Sequence, residues 1–429
     1  MRLTRQPARA RRGTVVVVAA VSMVTLLSFV ALSLDGGLLL DKRRQAQSAS
    51  DAAALAGAGD LYERWFSLAP SLRGSDPNGT ARAAALAAAE AHGYKNGVSG
   101  CTVTVNIPPL SGPFVGQFGH VEVIVQQTQQ RFFSNVFGAS AVPYGSRSVS
   151  RGKRSSINDA ILCLDPDNKG ALNAGGGGTV SIIGAPVQVN SNHAEAMIAN
   201  GGGTMIADKF LVGGSPGWST PGGGSFTGPI TPNSEPIPDP LAYLPVPDPS
   251  TMTVQSDKKL SQSGNKTSNL KPGVYVGGIQ ATGGTLNLDP GVYYMQGGGF
   301  SISGQANVYG SGVMIYNAPT SNSDVVSLAG GGNIVLSPMM SGPYQGVLLF
   351  QDRNSTNTVS VSGSSSGTFT ITGAFYTANG MLSVTGNGVQ QTLGSQYISS
   401  TLQLGGNGSF NCTWTPDLTP GKRELFLVE

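Results

Sequence analysis

Short β-type segments separated by glycine dominate the chain from residue 170 to residue 415. Glycine accounts for 44 of the 246 residues in this stretch, and apolar residues alternate with polar ones in runs such as Thr179–Ile183. A unit of the form Leu-x-Pro-Gly-Val-Tyr occurs at Leu270–Tyr275 and again, 18 residues later, at Leu288–Tyr293. Short strands that recur about every 20 residues and are turned by Gly and Asn predict a parallel β-helix, in which each coil stacks on the next.

A β-sandwich stays open as the alternative fold. Asn379-Gly, Asn387-Gly and Asn407-Gly are dipeptides of the type that closes two-residue hairpins between antiparallel strands. In both cases the fold class is mostly β, and the favoured form is a parallel, right-handed β-helix-like domain over residues 160–415.

Charge is scarce and unevenly distributed. Only 11% of the residues are charged, against about 25% in ordinary soluble domains. The net charge is +3, and residues 1–44 contain eight Lys or Arg but only two Asp. The rest of the chain therefore lacks the basic surface that nucleic-acid binding requires, and nucleic acid is not expected as a partner.

Residues 13–34 form an uncharged, mostly apolar run. As a helix this run would span about 33 Å, enough to cross the ~30 Å hydrocarbon core of a bilayer. Five arginines precede it, so the positive-inside rule predicts a single-pass anchor in the inner membrane. Residues 1–12 would be a cytoplasmic basic tail, and the rest would be periplasmic or extracellular. A cleaved signal peptide is the alternative, although its apolar region is usually shorter.

The helix is expected to continue beyond the membrane. Residues 41–58 contain no proline and many strong helix formers. The small, Ala-rich outer face of this extension predicts close packing against another helix, and a solvated stalk is the alternative.

Three sequence features near the N-terminus occur together: Arg11-Arg12-Gly13, Leu34-Asp35-Gly36-Gly37 and, most specific, the run SDAAALAGA at Ser50–Ala58. With these features the first ~50 residues resemble the N-terminal domain of TadG-like proteins (TadE/TadG family) of the Flp-type, or tight-adherence, pilus assembly system. The resemblance implies a pilin-like anchor over residues 13–59. It also implies pilus assembly components or pilin-like proteins as partners, contacted through the Ala-rich extension.

Position 18 departs from the pattern of pilins. Pilins carry a glutamate five residues after the glycine that is processed by a prepilin peptidase, and the equivalent position after Gly13 is Val18. This departure argues against prepilin processing, and it agrees with the larger TadG-like proteins, which generally lack the processing site.

A small α+β domain is expected over residues 60–155. A helix is predicted at Thr80–Gly93, with Thr80 as its N-cap, and alternating strands are predicted at 101–107 and 121–125. The segment Arg131–Gly138 (RFFSNVFG) has apolar pairs four residues apart and is expected to pack on the sheet.

A Pro-rich loop is expected to interrupt the β-helix at residues 214–256. It would be either an interdomain tether or an arm on the β surface, anchored by Leu241, Tyr243 and Leu244. Residues 416–429 are expected to form a C-terminal tail.

No catalytic set can be assembled from the sequence. Glycan-cleaving β-helices need carboxylates clustered on one face. Asp289, Asp324 and the pair Asp352-Arg353 instead fall on different predicted coils, where turns explain them. The run from Asp165 to Asn168 lacks calcium-loop spacing and predicts an Asx turn. We therefore expect no enzymatic activity, no cofactor and no metal, and a polysaccharide-active enzyme is the least favoured alternative.

A surface adhesin that binds carbohydrate through the β domain is a further alternative. It would require a row of exposed aromatic side chains on one sheet face. The candidates for that row are Tyr275, Tyr293, Tyr294, Tyr309 and Tyr316.

Three cysteines allow at most one disulfide. A bond between Cys163 and Cys412 would join the start and the end of the β domain, which a long solenoid would hold far apart. Cys101 with Cys163 is therefore the less strained pair.

Overall fold

The computed structural model describes residues 12–65, 67–133, 135, 140–364, 366–387 and 391–429. The chain divides into two compact units: residues up to 154 together with 424–429, and residues 155–423. Among the described residues, α1 (Arg12–Glu63) and α2 (Thr80–Ala91) are the α-helices, and the rest of the regular structure is β. Short 3-10 helices lie at Pro70–Leu72, Gly112–Phe114, Pro221–Gly223, Pro249–Thr251 and Pro416–Leu418.

The first unit contains both helices and a four-stranded sheet. Its strands, in the order in which they lie side by side, are β1 (Thr102–Asn106), β2 (His120–Gln129), β3 (Val142–Ser156) and β33 (Gly421–Leu427). The pairs β1–β2 and β2–β3 are antiparallel. Residues 416–429, which the sequence predicts to be a tail, thus include an edge strand.

Helix α2 is capped differently from the sequence prediction. It begins at Thr80 after Gly79, which has a left-handed backbone conformation. The carboxylate of Asp76 accepts hydrogen bonds from the backbone N–H groups of Ala81 and Arg82, so Asp76 caps the helix in place of Thr80. The helix ends just before Gly93, whose φ of +89° fits a glycine stop.

The segment Arg131–Gly138 is not packed as the sequence predicts. Phe132 and Phe133 are exposed instead of buried on the sheet. Residues 134 and 136–139 of the same segment lie outside the described residues.

The second unit is a parallel β-helix of about 11 turns with three faces, which confirms the predicted fold class. Two long strands, β29 (Ala374–Thr385) and β31 (Gln396–Gly405), run from face 1 into face 2. The other face 1 strands are β4 (Ile161–Cys163), β7 (Val187–Val189), β10 (Phe210–Val212), β13 (Ile230–Thr231), β14 (Val254–Ser256), β17 (Gly273–Val276), β20 (Gly291–Gln296), β23 (Val313–Ala318) and β26 (Val347–Gln351). The other face 2 strands are β5 (Leu172–Ala174), β8 (Met197–Ala199), β11 (Trp218–Ser219), β15 (Leu260–Gln262), β18 (Ile279–Ala281), β21 (Phe300–Ile302), β24 (Val326–Leu328) and β27 (Val359–Ser362). The face 3 strands are β6 (Thr179–Ile183), β9 (Thr204–Ile206), β12 (Ser225–Thr227), β16 (Thr267–Leu270), β19 (Thr285–Leu288), β22 (Asn307–Gly310), β25 (Ile334–Leu336), β28 (Phe369–Ile371), β30 (Gln391–Leu393) and β32 (Phe410–Thr413).

The coils do not stack in chain order. Strand β4 begins the β-helix in sequence, yet it pairs on one side with β7 and on the other with β31, near the end of the chain. The stack along face 1 reads β14, β17, β20, β23, β26, β29, β31, β4, β7, β10 and β13. The first and the last coils in sequence are therefore neighbours in the interior of the stack. Next to them, the Trp414 indole N–H donates to the Ile157 carbonyl at 3.0 Å.

Residues 232–253, called the strap below, connect the two ends of this stack. They follow β13, the last strand at one end, and precede β14, the last strand at the other. Eleven strands at ~4.8 Å spacing make a stack about 48 Å long. An extended Pro-rich segment of this length reaches about 65 Å, so the strap can follow face 1 from end to end.

The strap is held on face 1 by polar and apolar contacts. Near one end, the Asn190 side-chain amide donates to the Ile237 carbonyl at 2.7 Å. Farther along, Leu241 and Leu244 are buried in an apolar cluster on the outside of face 1. The Pro-rich segment is thus an arm on the β surface with Leu241 and Leu244 as buried anchors, as predicted, and the third predicted anchor, Tyr243, packs half-buried against the same cluster. It interrupts the coils over a shorter stretch than 214–256, because β11, β12 and β13 complete a coil first.

Candidate functional site at the N-terminal helix

Helix α1 has two halves with opposite surroundings. From Val15 to Leu34 its large apolar side chains are exposed, whereas from Ala46 onward one face is buried in the core of the first unit. Among the described residues, α1 is the one helix long and apolar enough to cross a membrane. The exposed half is about 30 Å long, which matches a bilayer core.

The buried half packs through small residues. The fully buried alanines of this half are Ala46, Ala49, Ala53, Ala54 and Ala58. The steps from 46 to 49, from 49 to 53 and from 54 to 58 are three or four residues, the spacing of one helix face. Opposite them lie the buried alanines of α2 and the buried valines of β2. The sequence predicts that this small face packs against another helix, and that helix is α2 of the same chain. Because α2 and β2 cover this face, the structure does not leave it open for the pilin-like partner that the sequence analysis expects there.

Two glycines allow the close approach of α1 to its neighbours. A Cβ on Gly57 would lie 3.0 Å from Val121 Cγ1 and 3.1 Å from the Ala81 carbonyl oxygen. A Cβ on Gly152 of β3 would lie 2.0 Å from the carbonyl oxygen of Ala58. Helix α1 therefore rests directly on the backbone of β3.

A buried polar contact fixes the rotation of α1 on the sheet. The Ser148 hydroxyl on β3 lies 2.7 Å from the Ser50 hydroxyl and donates to the Asp51 carboxylate. The Gln47 amide donates to Ser148 Oγ at 3.0 Å. Ser50 and Asp51 belong to the run that resembles TadG-like proteins. Their partner Ser148 could not be found from the sequence, because it lies almost 100 residues away in an unremarkable Ser-rich strand.

A buried carboxylate on β2, that of Glu122, links residues of β1, of β3 and of the loop after β1. Glu122 is fully buried and accepts hydrogen bonds from Asn106 Nδ2 at 2.7 Å, from the Leu110 backbone N–H at 3.0 Å and from the Ser111 hydroxyl. Arg147 Nε donates to it at 2.7 Å, and Arg147 Nη1 also pairs with Glu429 at 2.6 Å. Burial raises the pKa of Glu122, but these hydrogen bonds outweigh burial and lower the pKa to about 2.

We expect the first unit to lose stability in acid through Glu122. The ordinary pKa of 4.5 applies in the unfolded chain, so the contribution of this carboxylate is complete above about pH 4.5. It is lost as the pH falls through the window from 4.5 to about 2, and it amounts to about 3 kcal/mol. Urea denaturation of the wild type and of Glu122→Gln, followed by Trp65 fluorescence in a Trp218→Phe, Trp414→Phe background, measures this contribution. The free-energy gap between the two proteins should narrow as the pH falls, and a constant gap would contradict the assignment.

The carboxylates considered for catalysis have structural partners or lie in an exposed turn. Asp324 Oδ2 accepts from the backbone N–H groups of Thr320 and Ser321 at 2.8 Å. Burial raises the pKa of Asp324, but these bonds outweigh it and lower the pKa to about 2. Asp352 Oδ2 accepts from the Tyr316 hydroxyl at 2.6 Å, and Asp289 lies exposed at a coil corner.

Arg353 and the run from Asp165 to Asn168 also have structural partners. Arg353 Nη2 donates to the carbonyls of Leu241 and Leu244 in the strap. Asp165 Oδ1 accepts from the backbone N–H groups of Asp167 and Asn168, which is the predicted Asx turn. Within the described residues no three His, Cys, Asp or Glu side chains come together as a metal site would require.

The predicted row of exposed tyrosines is wrong. Tyr275, Tyr293 and Tyr316 are buried, and of the five candidates only Tyr309 is exposed. In the repeated Leu-x-Pro-Gly-Val-Tyr unit, the tyrosine hydroxyl donates to the carbonyl four residues earlier, Lys271 for Tyr275 and Asp289 for Tyr293. These tyrosines thus satisfy backbone carbonyls at the coil corners.

The three cysteines are buried and free of disulfides. The reasoning that a solenoid holds Cys163 and Cys412 far apart is wrong, because β4 stacks directly on β31 and brings the start and the end of the β-helix together. Burial raises the pKa of the Cys412 thiol to about 12 and also raises the pKa of the Cys163 thiol, so both thiols are poor nucleophiles.

Comparison with known proteins gives one match. No curated protein and no solved structure matches the chain. Residues 13–60, which comprise nearly all of α1 and both of its halves, match the family model described as "Putative Flp pilus-assembly TadE/G-like", and the predicted resemblance is thereby confirmed.

Proposed function

We propose that this protein is a non-enzymatic, single-pass membrane component of Flp-type pilus assembly. The exposed half of α1 would lie in the inner membrane, with the N-terminus in the cytoplasm and the β-helix exported to the other side. The observation that carries the proposal is the match of residues 13–60 to the pilus-assembly family, together with the division of that segment into an exposed apolar half and a docked half.

Pilin-like partners would be contacted inside the bilayer. The Ala-rich face of α1 is covered by α2 and β2, so the apolar surface from Val15 to Leu34 is the part of the helix left for another membrane helix. Because the other half of α1 is fixed by Gly57, Gly152 and the Ser50–Ser148 contact, a partner bound in the membrane would be held in register with the exported sheet.

The test is a count of surface pili by electron microscopy in a pilus-forming strain that lacks this gene. We expect pili to be lost and then restored by the full chain. Gly57→Leu should fail to restore them, because it forces α1 away from α2. The matched control Gly59→Leu, on the same helix with open space around its Cβ, should restore them. Unchanged pili in the deletion strain would contradict the proposal.

A further variant separates the two units. Replacing residues 157–420 with a short Gly-Ser linker joins the neighbouring strands β3 and β33 and keeps the four-stranded sheet. Rescue by this variant would assign assembly to the first unit, whereas failure of a stably produced variant would assign a share of it to the β-helix.

A further inference from the structure

The connection between β2 and β3 exposes two adjacent phenylalanines. Phe132 is 64% exposed and Phe133 is 55% exposed, although both are large apolar side chains in a segment that the sequence predicts to pack on the sheet. Neighbouring exposed aromatic residues of this kind are typical of surfaces that meet another molecule or a membrane.

These phenylalanines lie at the level of α1 where its apolar run ends. The backbone N–H of Phe133 donates to the carboxylate of Asp35 at 3.2 Å. Asp35 is the first charged residue after the uncharged run 13–34. A cleft of about 190 Å³ between the helix and the connection is lined by Leu32, Leu39 and Phe132, among others.

A second contact shows that strand β2 lies along α1 and that the first residues of β2 are far from Asp35. Val121, near the other end of β2, faces Gly57 of α1. Residues 35 and 57 of a helix are about 33 Å apart along its axis. The start of β2 is therefore remote from Asp35, whereas the end of β2 and residues 130–133 after it lie beside the end of the apolar run.

Basic residues flank the same level. Arg131 precedes Phe132, and Lys42, Arg43 and Arg44 follow Asp35 on α1 at a rise of roughly 11–14 Å. This height corresponds to the headgroup region of a bilayer whose hydrocarbon ends near Leu34, and cationic side chains there favour anionic lipids.

We propose that Phe132 and Phe133 insert into the lipid interface beside the α1 span, so that the first unit is held against the bilayer at two points. The occupant of this surface is the anionic bilayer itself. The inference rests on the proposed membrane anchor, and it adds a fixed orientation of the four-stranded sheet relative to the membrane. Apolar side chains in such a position typically lie 5–10 Å deep, at the boundary between headgroups and acyl chains.

Spin labels on single introduced cysteines test this proposal in the full chain. The three native cysteines are buried, so labelling is expected to be confined to the new site. Phe132→Cys is the test position. Phe118→Cys is the matched control, because Phe118 is 57% exposed and precedes the opposite end of β2, and Phe29→Cys, on a residue 65% exposed, reports on the span. Each protein is reconstituted in phosphatidylethanolamine and phosphatidylglycerol vesicles, and label accessibility is measured to oxygen, which concentrates in lipid, and to a water-soluble nickel chelate.

We expect the labels at positions 29 and 132 to collide several-fold more with oxygen than with the nickel chelate, and the label at 118 to show the reverse. If the label at 29 is exposed to lipid but the label at 132 is as exposed to water as the label at 118, the inference is overturned and the proposed membrane anchor is retained. A label at 132 that is shielded from both reagents would place protein against the phenylalanines and would also overturn it. A water-exposed label at 29 would remove the membrane anchor of the proposed function, and the inference with it.

Discussion

Arg353→Met is expected to lower the free energy of unfolding of the β-helix by about 4 kcal/mol and to release the strap. The guanidinium donates to the carbonyls of Leu241 and Leu244 at 2.7 and 2.9 Å and to the Tyr376 hydroxyl at 2.8 Å. It also lies over the ring of Phe350. Methionine fills similar space but donates nothing, and each orphaned carbonyl costs about 1–3 kcal/mol.

Two measurements check this prediction. Urea denaturation gives the loss of stability, and limited proteolysis reports cleavage within residues 232–253, which should become rapid only in the variant. Lys271→Met removes an exposed cation from a coil at one end of the stack and should change stability by no more than about 0.5 kcal/mol. If the strap of Arg353→Met resists protease as the wild type does, the arginine does not hold it.

Gly298→Ala is expected to cost about 4 kcal/mol, far more than the same change at Gly264. Both glycines have a φ of +68°, so both alanines pay about 1–2 kcal/mol for a left-handed backbone. A Cβ on Gly298 would also lie 1.9 Å from the carbonyl oxygen of Gly277 in the adjacent coil, whereas Gly264 has open space around it. The coils must then separate at this corner, which adds a further cost of about 1–3 kcal/mol.

Hydrogen exchange distinguishes the effect of Gly298→Ala from that of Gly264→Ala. Gly298→Ala should accelerate exchange of the amides in β17, β20 and β23 around the widened corner, and Gly264→Ala should leave them close to wild type. Equal destabilisation by the two alanines would mean that backbone conformation alone, and not the close stacking of corners, explains the glycine at 298.

The local features of this fold were predictable because they are carried by local sequence patterns. Alternation in Thr179–Ile183 and the Leu-x-Pro-Gly-Val-Tyr repeat predict coils, and the apolar run before Leu34 predicts the span. Leu241 and Leu244 stand out as anchors because they are large apolar residues in a Pro-rich segment. Each of these signals lies within about 20 residues of sequence.

Long-range pairings could not be predicted in the same way. Strand β4 offers Ile161 and Leu162 to a neighbour, as many other strands of the β-helix do, so nothing local selects β31 as its partner. Strand β33 is not recognisable from its own sequence, because three consecutive charged residues, Lys422, Arg423 and Glu424, occur in it and its pairing partner β3 lies almost 280 residues away. The tyrosines of the repeat were candidates for the exposed row that the adhesin alternative requires, because alternation alone does not reveal that a hydroxyl can satisfy a corner carbonyl within the core.

The internal entry point of the chain determines when the β-helix can be completed. Strand β4 is synthesised early, yet its neighbour β31 follows about 230 residues later. A chain that emerges from its N-terminus therefore carries an open strand edge at β4 until nearly all of it has arrived, and open edges invite pairing with other chains. Folding of the β-helix is then complete only when β31, which is synthesised late, pairs with β4, which is synthesised early. A chain that stops short of β31 would keep this edge exposed in the middle of its stack, where chaperones and proteases can recognise an unfinished molecule.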